Sequence, residues 1–221
     1  MSELANLPRK LSKELPKAVL FDLLTALLDS WTVWNAAAGS EASGRAWRAE
    51  YLRLTYGCGA YEPYEELVAA AADRVGLKPD VVAALEARWL DLPVWSGAQQ
   101  ALDAIAGRTK LAVVTNCSRR LGLLAAARLK TSWDCVVTAE DAGYYKPDPH
   151  PYRLALTLLS VEPGEAAFVA GSGYDLIGTG RVGLRTYWHN RVGLPRPPDA
   201  PPAAIESENL DGLVPWLEGL T

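Results

Sequence analysis

Five short apolar runs punctuate the chain: residues 18–21 (AVLF), 111–115 (LAVVT), 135–139 (CVVTA), 166–170 (AAFVA) and 184–188 (LRTYW). Amphipathic helical patterns separate the later ones: SRRLGLLAAARL, PYRLALTLLS and YDLIGTGRVG. Short continuous runs alternating with helices are the mark of parallel strands covered on both faces. They predict an α/β doubly wound, Rossmann-like parallel sheet. The first interval differs. It holds about 90 residues without a convincing strand, and its segments DSWTVWNAAAGS, GRAWRAEYLRLTYG, YEPYEELVAAAADRVG and KPDVVAALEARWL read as amphipathic helices broken by Gly, Pro and Ser. That is too long for one crossover and predicts an inserted helical cap. The expected division is residues 14–29 with 96–221 as core, 30–95 as cap, and 1–13 as an N-terminal lead that could be flexible. SGAQQALDAIAG is expected to return the chain to the sheet. The Pro-rich GLPRPPDAPPAAIESE reads as a surface excursion held down by Leu210, Leu213, Val214, Trp216 and Leu217 behind it.

Composition narrows the function. The 221 residues are 49% apolar and carry 22 basic against 26 acidic side chains, net charge -4, with no basic block. A nucleic-acid partner is not expected. Cys58, Cys117 and Cys135 lack CxxC spacing and cannot all pair, and with only His150 and His189 beside them a structural zinc site is not expected. Reduced thiols, the lack of a signal-peptide pattern and the lack of a membrane-spanning run point to a cytoplasmic protein without a membrane partner.

In an open parallel sheet, sites form outside the carboxyl ends of the strands. The first run ends in Asp22. The second ends in Thr115, with Asn116 and Ser118 following. Lys146 lies in the loop after the third, and Ser172 and Asp175 follow the fourth. Any one of these could cap a helix or satisfy a turn. Four successive strand ends all supplying polar groups instead point to one active site.

Asp22, Thr115, Lys146 and Asp175, in this order and spacing, resemble the haloacid dehalogenase superfamily, and so does the cap after the first strand. The resemblance implies a hydrolase whose nucleophile is Asp22. Magnesium-dependent phosphatases of that superfamily carry two further acids. They would fall at Leu24, two residues after the nucleophile, and at Gly171, four before Asp175. Neither is an acid here, so no metal or other cofactor is expected. Other stretches resemble the L-2-haloacid dehalogenase branch. The Trp47-Arg48 pair looks like its cap-helix Trp-Arg, VTNCS like its Leu-Ser-Asn-Gly-Ser turn, YKPDPHPY like its lysine with a tyrosine six residues on, and YWHNRVGLP like a segment that is mainly structural.

On that resemblance the substrate is a small organic anion, a 2-haloacid, whose halide is displaced through an aspartyl ester. Asp22, Lys146, Asp175 and Ser172 are the expected catalytic set. Backbone amides 23 and 24 would orient Asp22, Lys146 would keep Asp22 and Asp175 ionised, and Asp175 would act through Ser172 on the hydrolytic water. Arg48, Thr115, Asn116, Ser118, Leu24, Trp47 and Tyr152 are the expected substrate-binding set. Two departures mark the chain. Tyr-Gly-Thr-Leu becomes Leu24-Thr25-Ala26-Leu27, with Thr25 able to stand in from the next position, and Ser-Ser-Asn becomes Ala170-Gly171-Ser172. A phosphatase with an atypical acid set and a non-catalytic small-anion binder are the alternatives. A monomer and a homodimer are both compatible with the sequence.

Overall fold

A computed structural model describes residues 14–220, so the expectation for the lead, 1–13, lies outside the described residues. The strands are β1 (Ala18–Phe21), β2 (Lys110–Thr115), β3 (Cys135–Thr138), β4 (Ala166–Ala170), β5 (Arg185–His189) and β6 (Ile205–Ser207). They form one sheet in the order β3-β2-β1-β4-β5-β6, with every pairing parallel. β1 lies at the centre, Phe21 in register with Val113 of β2 and Val169 of β4. Its side chains alternate between two cores: Val19 and Phe21 enter one, Ala18 and Leu20 the other. Both faces are covered, which is why the run is apolar throughout.

Helices α1 (Ser30–Ala38), α2 (Glu41–Gly57), α3 (Tyr64–Arg74) and α4 (Asp80–Ala87) follow β1 and form the cap. Local chemistry sets their limits. Asp29 and Ser40 accept from backbone N–H groups at the starts of α1 and α2, and Gly39 ends α1 in the left-handed region. An aromatic cluster holds the cap together, with Trp34 4.7 Å from Trp47 and Tyr51 5.4 Å from Tyr64 between ring centroids. The chain enters and leaves the cap side by side, Leu28 bridging Val94 in antiparallel fashion.

α5 (Ala98–Ile105) returns the chain to the sheet. α6 (Arg119–Ala126), α7 (Ala139–Ala142), α8 (Pro149–Leu159), α9 (Asp175–Val182) and α10 (Leu213–Glu218) complete the layers. The Pro-rich tract departs from expectation, because it runs into a sixth strand rather than staying a plain surface excursion. β6 is a three-residue edge strand with Ile205 and Glu206 exposed, so it leaves no apolar run to read. Buried Leu210, Leu213 and Leu217 anchor the C-terminal segment beyond this strand.

Candidate active site

Asp22 is the first residue beyond β1. The chain turns back over it, and three donors converge on Oδ2: Thr25 N at 2.9 Å, Thr25 Oγ1 at 2.6 Å and Ala26 N at 3.1 Å. The amides that orient the carboxylate are therefore those of residues 25 and 26. The expected ones, 23 and 24, sit too early in the turn to face it. Thr25 supplies the hydroxyl from the shifted position. The turn is itself pinned from behind: Trp95 Nε1 donates to the Thr25 carbonyl at 3.0 Å, and the ring of His189 meets the Ala26 carbonyl at 2.7 Å. A carbonyl can only accept, so Nδ1 of His189 carries a proton, and burial lowers the pKa of this ring.

Oδ1 of Asp22 faces Lys146. The ammonium lies 2.8 Å from Asp22 Oδ1 and 2.9 Å from Asp175 Oδ1, and all three side chains are buried. Tyr152, fully buried on α8, donates to the same Asp175 oxygen at 2.9 Å. Asp175 Oδ2 is buried without a hydrogen-bond partner among the described residues. The two carboxyls differ in electrostatics. Burial pushes Asp22 up, but the Lys146 charge and the hydrogen bonds from Lys146 and Thr25 outweigh it and hold the group below the ordinary aspartate value. At Asp175, burial and the nearby Asp22 charge prevail over Lys146, and the pKa is raised. Burial lowers Lys146, but its two carboxylates more than offset this and raise it, so it stays a cation.

A cavity of about 960 Å³ opens above these groups, between cap and core. Asp22, Leu24, Lys146, Ser172 and Asp175 line its floor, and Arg48, Tyr51 and Tyr56 of α2 line its roof. Arg48 is 8% exposed and donates to Ser30 Oγ at 2.7 Å, and its guanidinium lies 4.1 Å from the centre of the Trp31 ring. Among the described residues no carboxylate lies within ion-pair distance of it. A buried cation without an anionic partner at a cavity wall has the chemistry to take one up.

Several expected substrate contacts lie elsewhere. Trp47 packs inside the cap, its Nε1 donating to Val68 O at 2.8 Å. Successive helical residues point about 100° apart, so Arg48 can face the cavity only if Trp47 turns away; Trp31 lines the cavity instead. Thr115 is wholly buried against Cys117. The Ser118 hydroxyl caps α6 and donates to Glu65 of the cap at 2.7 Å. Neither reaches the cavity. Asn116 borders it, but its amide is spent on the Lys146 backbone, donating to the carbonyl at 2.9 Å and accepting from the N–H at 2.7 Å. It positions the lysine. Tyr152 likewise touches Asp175 rather than the cavity. Burial pushes the Cys117 thiol up to about 12, far from a nucleophile.

Sequence reasoning missed one wall. Residues 194–198 of the Pro-rich tract line the cavity, opposite the cap. They approach closely because Gly173 has no side chain: a Cβ there would lie 2.7 Å from the Pro197 ring.

Two features test whether the site suits a divalent cation. A Cβ at residue 171 would lie 2.2 Å from Ala26 N and 2.3 Å from both Thr25 C and Oγ1, so an acid cannot project from that position into the site. The facing oxygens of Asp22 and Asp175 are bridged by an ammonium, and no cluster of three or more His, Cys, Asp or Glu suited to a metal occurs among the described residues. The donor set does not fit magnesium, which takes several hard oxygens in near-octahedral geometry.

Residues 19–189 match the family model for haloacid dehalogenase-like hydrolases, and the chain belongs to that family. It is a hydrolase of the class that uses an aspartyl nucleophile. Within the class it is similar to (S)-2-haloacid dehalogenase 4A of Burkholderia cepacia, at 29% identity over 91% of this chain and 94% of that protein. It is also 30% identical to the (S)-2-haloacid dehalogenase of Xanthobacter autotrophicus, over 76% of this chain and 72% of the relative. A solved dehalogenase with an intermediate complex superposes with a TM-score of 0.80 at 26% identity, covering 93% of this chain and 98% of that one. No helix among the described residues is long and apolar enough to cross a membrane.

Proposed function

We propose that this protein is a metal-independent 2-haloacid dehalogenase. The observation that carries the reading is the Asp22–Lys146–Asp175 triad: an ammonium sits between the two carboxylates, beside a residue 171 with no room for an acid. The names of the relatives point the same way.

Oδ2 of Asp22 is held by three donors, while among the described residues Oδ1 accepts only from Lys146 and keeps a lone pair free to attack. Oδ1 displaces halide at C2 of the substrate. The C–O bond forms as the C–halogen bond breaks, and the halide leaves as an anion that needs no proton. Apolar Leu24 at the floor costs nothing in such a step, whereas an acid there would repel the substrate carboxylate. Arg48 receives an anion, the carboxylate or the departing halide.

Water then attacks Cγ of the ester. The charge that develops on Oδ2 falls on Thr25 N–H, Thr25 O–H and Ala26 N–H, donors already in place. Asp175 takes the proton of that water at Oδ2, the oxygen without a partner, while Tyr152 and Lys146 hold Oδ1. Its raised pKa suits a general base better than an ordinary aspartate does. Ser172 borders the same space and offers the water a hydroxyl. As the tetrahedral intermediate collapses, the Cγ–Oδ1 bond breaks and the proton held by Asp175 passes to the departing alkoxide to give the 2-hydroxyacid. Asp22 is regenerated with the water's oxygen, its remaining proton going to solvent.

Intact-protein mass spectrometry after incubation with 2-bromopropionate separates the two steps. Asp22→Asn should abolish halide release, and Asp175→Asn should accumulate an adduct on the peptide carrying Asp22. Excess chelator should leave halide release unchanged. Halide release that survives Asp22→Asn, or a chelator-sensitive phosphatase activity that exceeds it, would refute the assignment.

A further inference from the structure

The cavity is far larger than a three-carbon acid requires. At about 960 Å³ it falls near the top of the roughly 300–1,000 Å³ range of pockets that enclose drug-sized ligands. α2 gives it a continuous stripe, Arg45, Arg48, Ala49, Leu52, Arg53 and Tyr56, which at 1.5 Å per residue extends about 16 Å. Only part of that length is needed to place a carboxylate and C2 over Asp22.

The lining is divided chemically. The charged groups that do the chemistry gather at Asp22, Lys146 and Asp175 beneath Arg48. Arg45 and Arg53 also border the cavity, but they are exposed and already paired, with Glu41 at 2.8 Å and Glu50 at 2.7 Å. The rest of the wall is mostly apolar: Trp31 and Leu52 come from the cap, and Leu194, Pro195, Pro197 and Pro198 from the Pro-rich tract, where Arg196 is the charged exception and donates to the Ala200 carbonyl. An anionic head over a short polar floor, with an extended apolar space beside it, describes an amphipathic ligand.

Resting on the dehalogenase reading, we propose that the preferred substrates are 2-haloacids whose C2 carries an extended apolar chain, received between Leu52 of α2 and the 194–198 segment. The short 2-haloacids fill only the head of the site.

Two measurements test this and keep it separate from the reading it rests on. The first is binding, followed by tryptophan fluorescence because Trp31 borders the cavity, with octanoate against propionate. Neither is halogenated, so no chemistry is required. Burial of each methylene is worth about fourfold in affinity, and octanoate should bind at least about thirtyfold more tightly. Equal affinities would overturn the proposal whatever the enzyme does to haloacids. The second is kcat/KM for halide release from 2-bromooctanoate against 2-bromopropionate, which should favour the longer acid by a similar factor. A ratio of one or below would overturn it. Leu52→Trp from the cap and Leu194→Trp from the core should each cut the octanoate preference at least tenfold, and two variants on different elements guard against one failing to fold. If octanoate binds tightly while no bromoacid alkylates Asp22, the apolar subsite stands and the dehalogenase reading falls.

Discussion

Gly171→Ala adds one methyl group at the most confined point of the site, and its cost can be worked out. The new Cβ would lie 2.2 Å from Ala26 N and 2.3 Å from Thr25 C, both backbone atoms of the turn that binds Asp22. The turn cannot simply retreat, because Trp95 and His189 hold its carbonyls from the other side at 3.0 and 2.7 Å. Overpacking of a tight interior costs about 1–3 kcal/mol, and contact with fixed backbone puts this case at the upper end. At about 2–4 °C per kcal/mol for a chain of this size, the melting temperature should fall by roughly 6–12 °C. If the turn lifts instead, hydrogen bonds to a charged oxygen are lost, each worth about 1.5–3 kcal/mol. Ester hydrolysis, the step in which charge develops on that oxygen, would then slow by about 10- to 150-fold per bond. Thr25→Gly should not rescue the variant, since two of the three clashing atoms are main chain. Calorimetry and the single-turnover decay of the Asp22 ester on the same preparations read both outcomes. A Gly171→Ala protein that melts within 2 °C of the parent and hydrolyses the Asp22 ester within about twofold of its rate would show that the turn is soft, and the steric case against an acid at 171 would fail with it.

Lys146→Met should slow alkylation at pH 7 by about 100-fold, because without the ammonium burial and the facing Asp175 carboxylate raise Asp22 and leave little of it as the ionised nucleophile. The sign of its pH effect follows from the balance at Asp22. The lysine holds that carboxyl below the ordinary value of about 3.9, and without it burial prevails, so the acid limb of the pH–rate profile should move to higher pH. An unmoved limb would contradict the pairing. Arg48→Ala should raise KM for haloacids by about ten- to hundredfold, the usual scale for one charged hydrogen bond, with a smaller effect on kcat; saturation kinetics distinguish the two. Tyr152→Phe frees Asp175 Oδ1 from one of its two bonds and should slow ester hydrolysis more than alkylation, as shown by an ester population above that of the parent.

The sheet was legible because its chemistry is periodic. β1 to β5 are short apolar runs, and a polar residue directly after such a run, or in the loop that leads from it to the next helix, has little choice but the carboxyl edge of the sheet. Asp22, Lys146 and Asp175 could therefore be grouped before any coordinates. Directions of individual side chains were less legible. Trp47 and Arg48 are adjacent in sequence yet diverge around α2, and Ser118 serves a helix start and a cap glutamate rather than the cavity. Asn116 bonds to the backbone of Lys146, a contact thirty residues away that no local pattern announces. The wall at 194–198 and strand β6 were not visible because a proline-rich stretch has neither a two-residue nor a 3.6-residue period.

The prolines of that stretch, Pro195, Pro197, Pro198, Pro201 and Pro202, have a thermodynamic consequence for recognition. Each ring fixes a φ angle before folding, so the unfolded chain has less freedom to give up, by about 0.4–1 kcal/mol where the geometry is compatible. The excursion is secured at its ends by the pairing of β5 with β6 and by the two hydrogen bonds between Asn190 and Leu194. A flexible loop that closed over a ligand would have to be ordered at the moment of binding, and the affinity would be reduced accordingly. This wall is stiff beforehand. Its selectivity is that of a mould rather than a glove: ligands that match its shape bind without an ordering penalty, and ligands that do not match receive little accommodation.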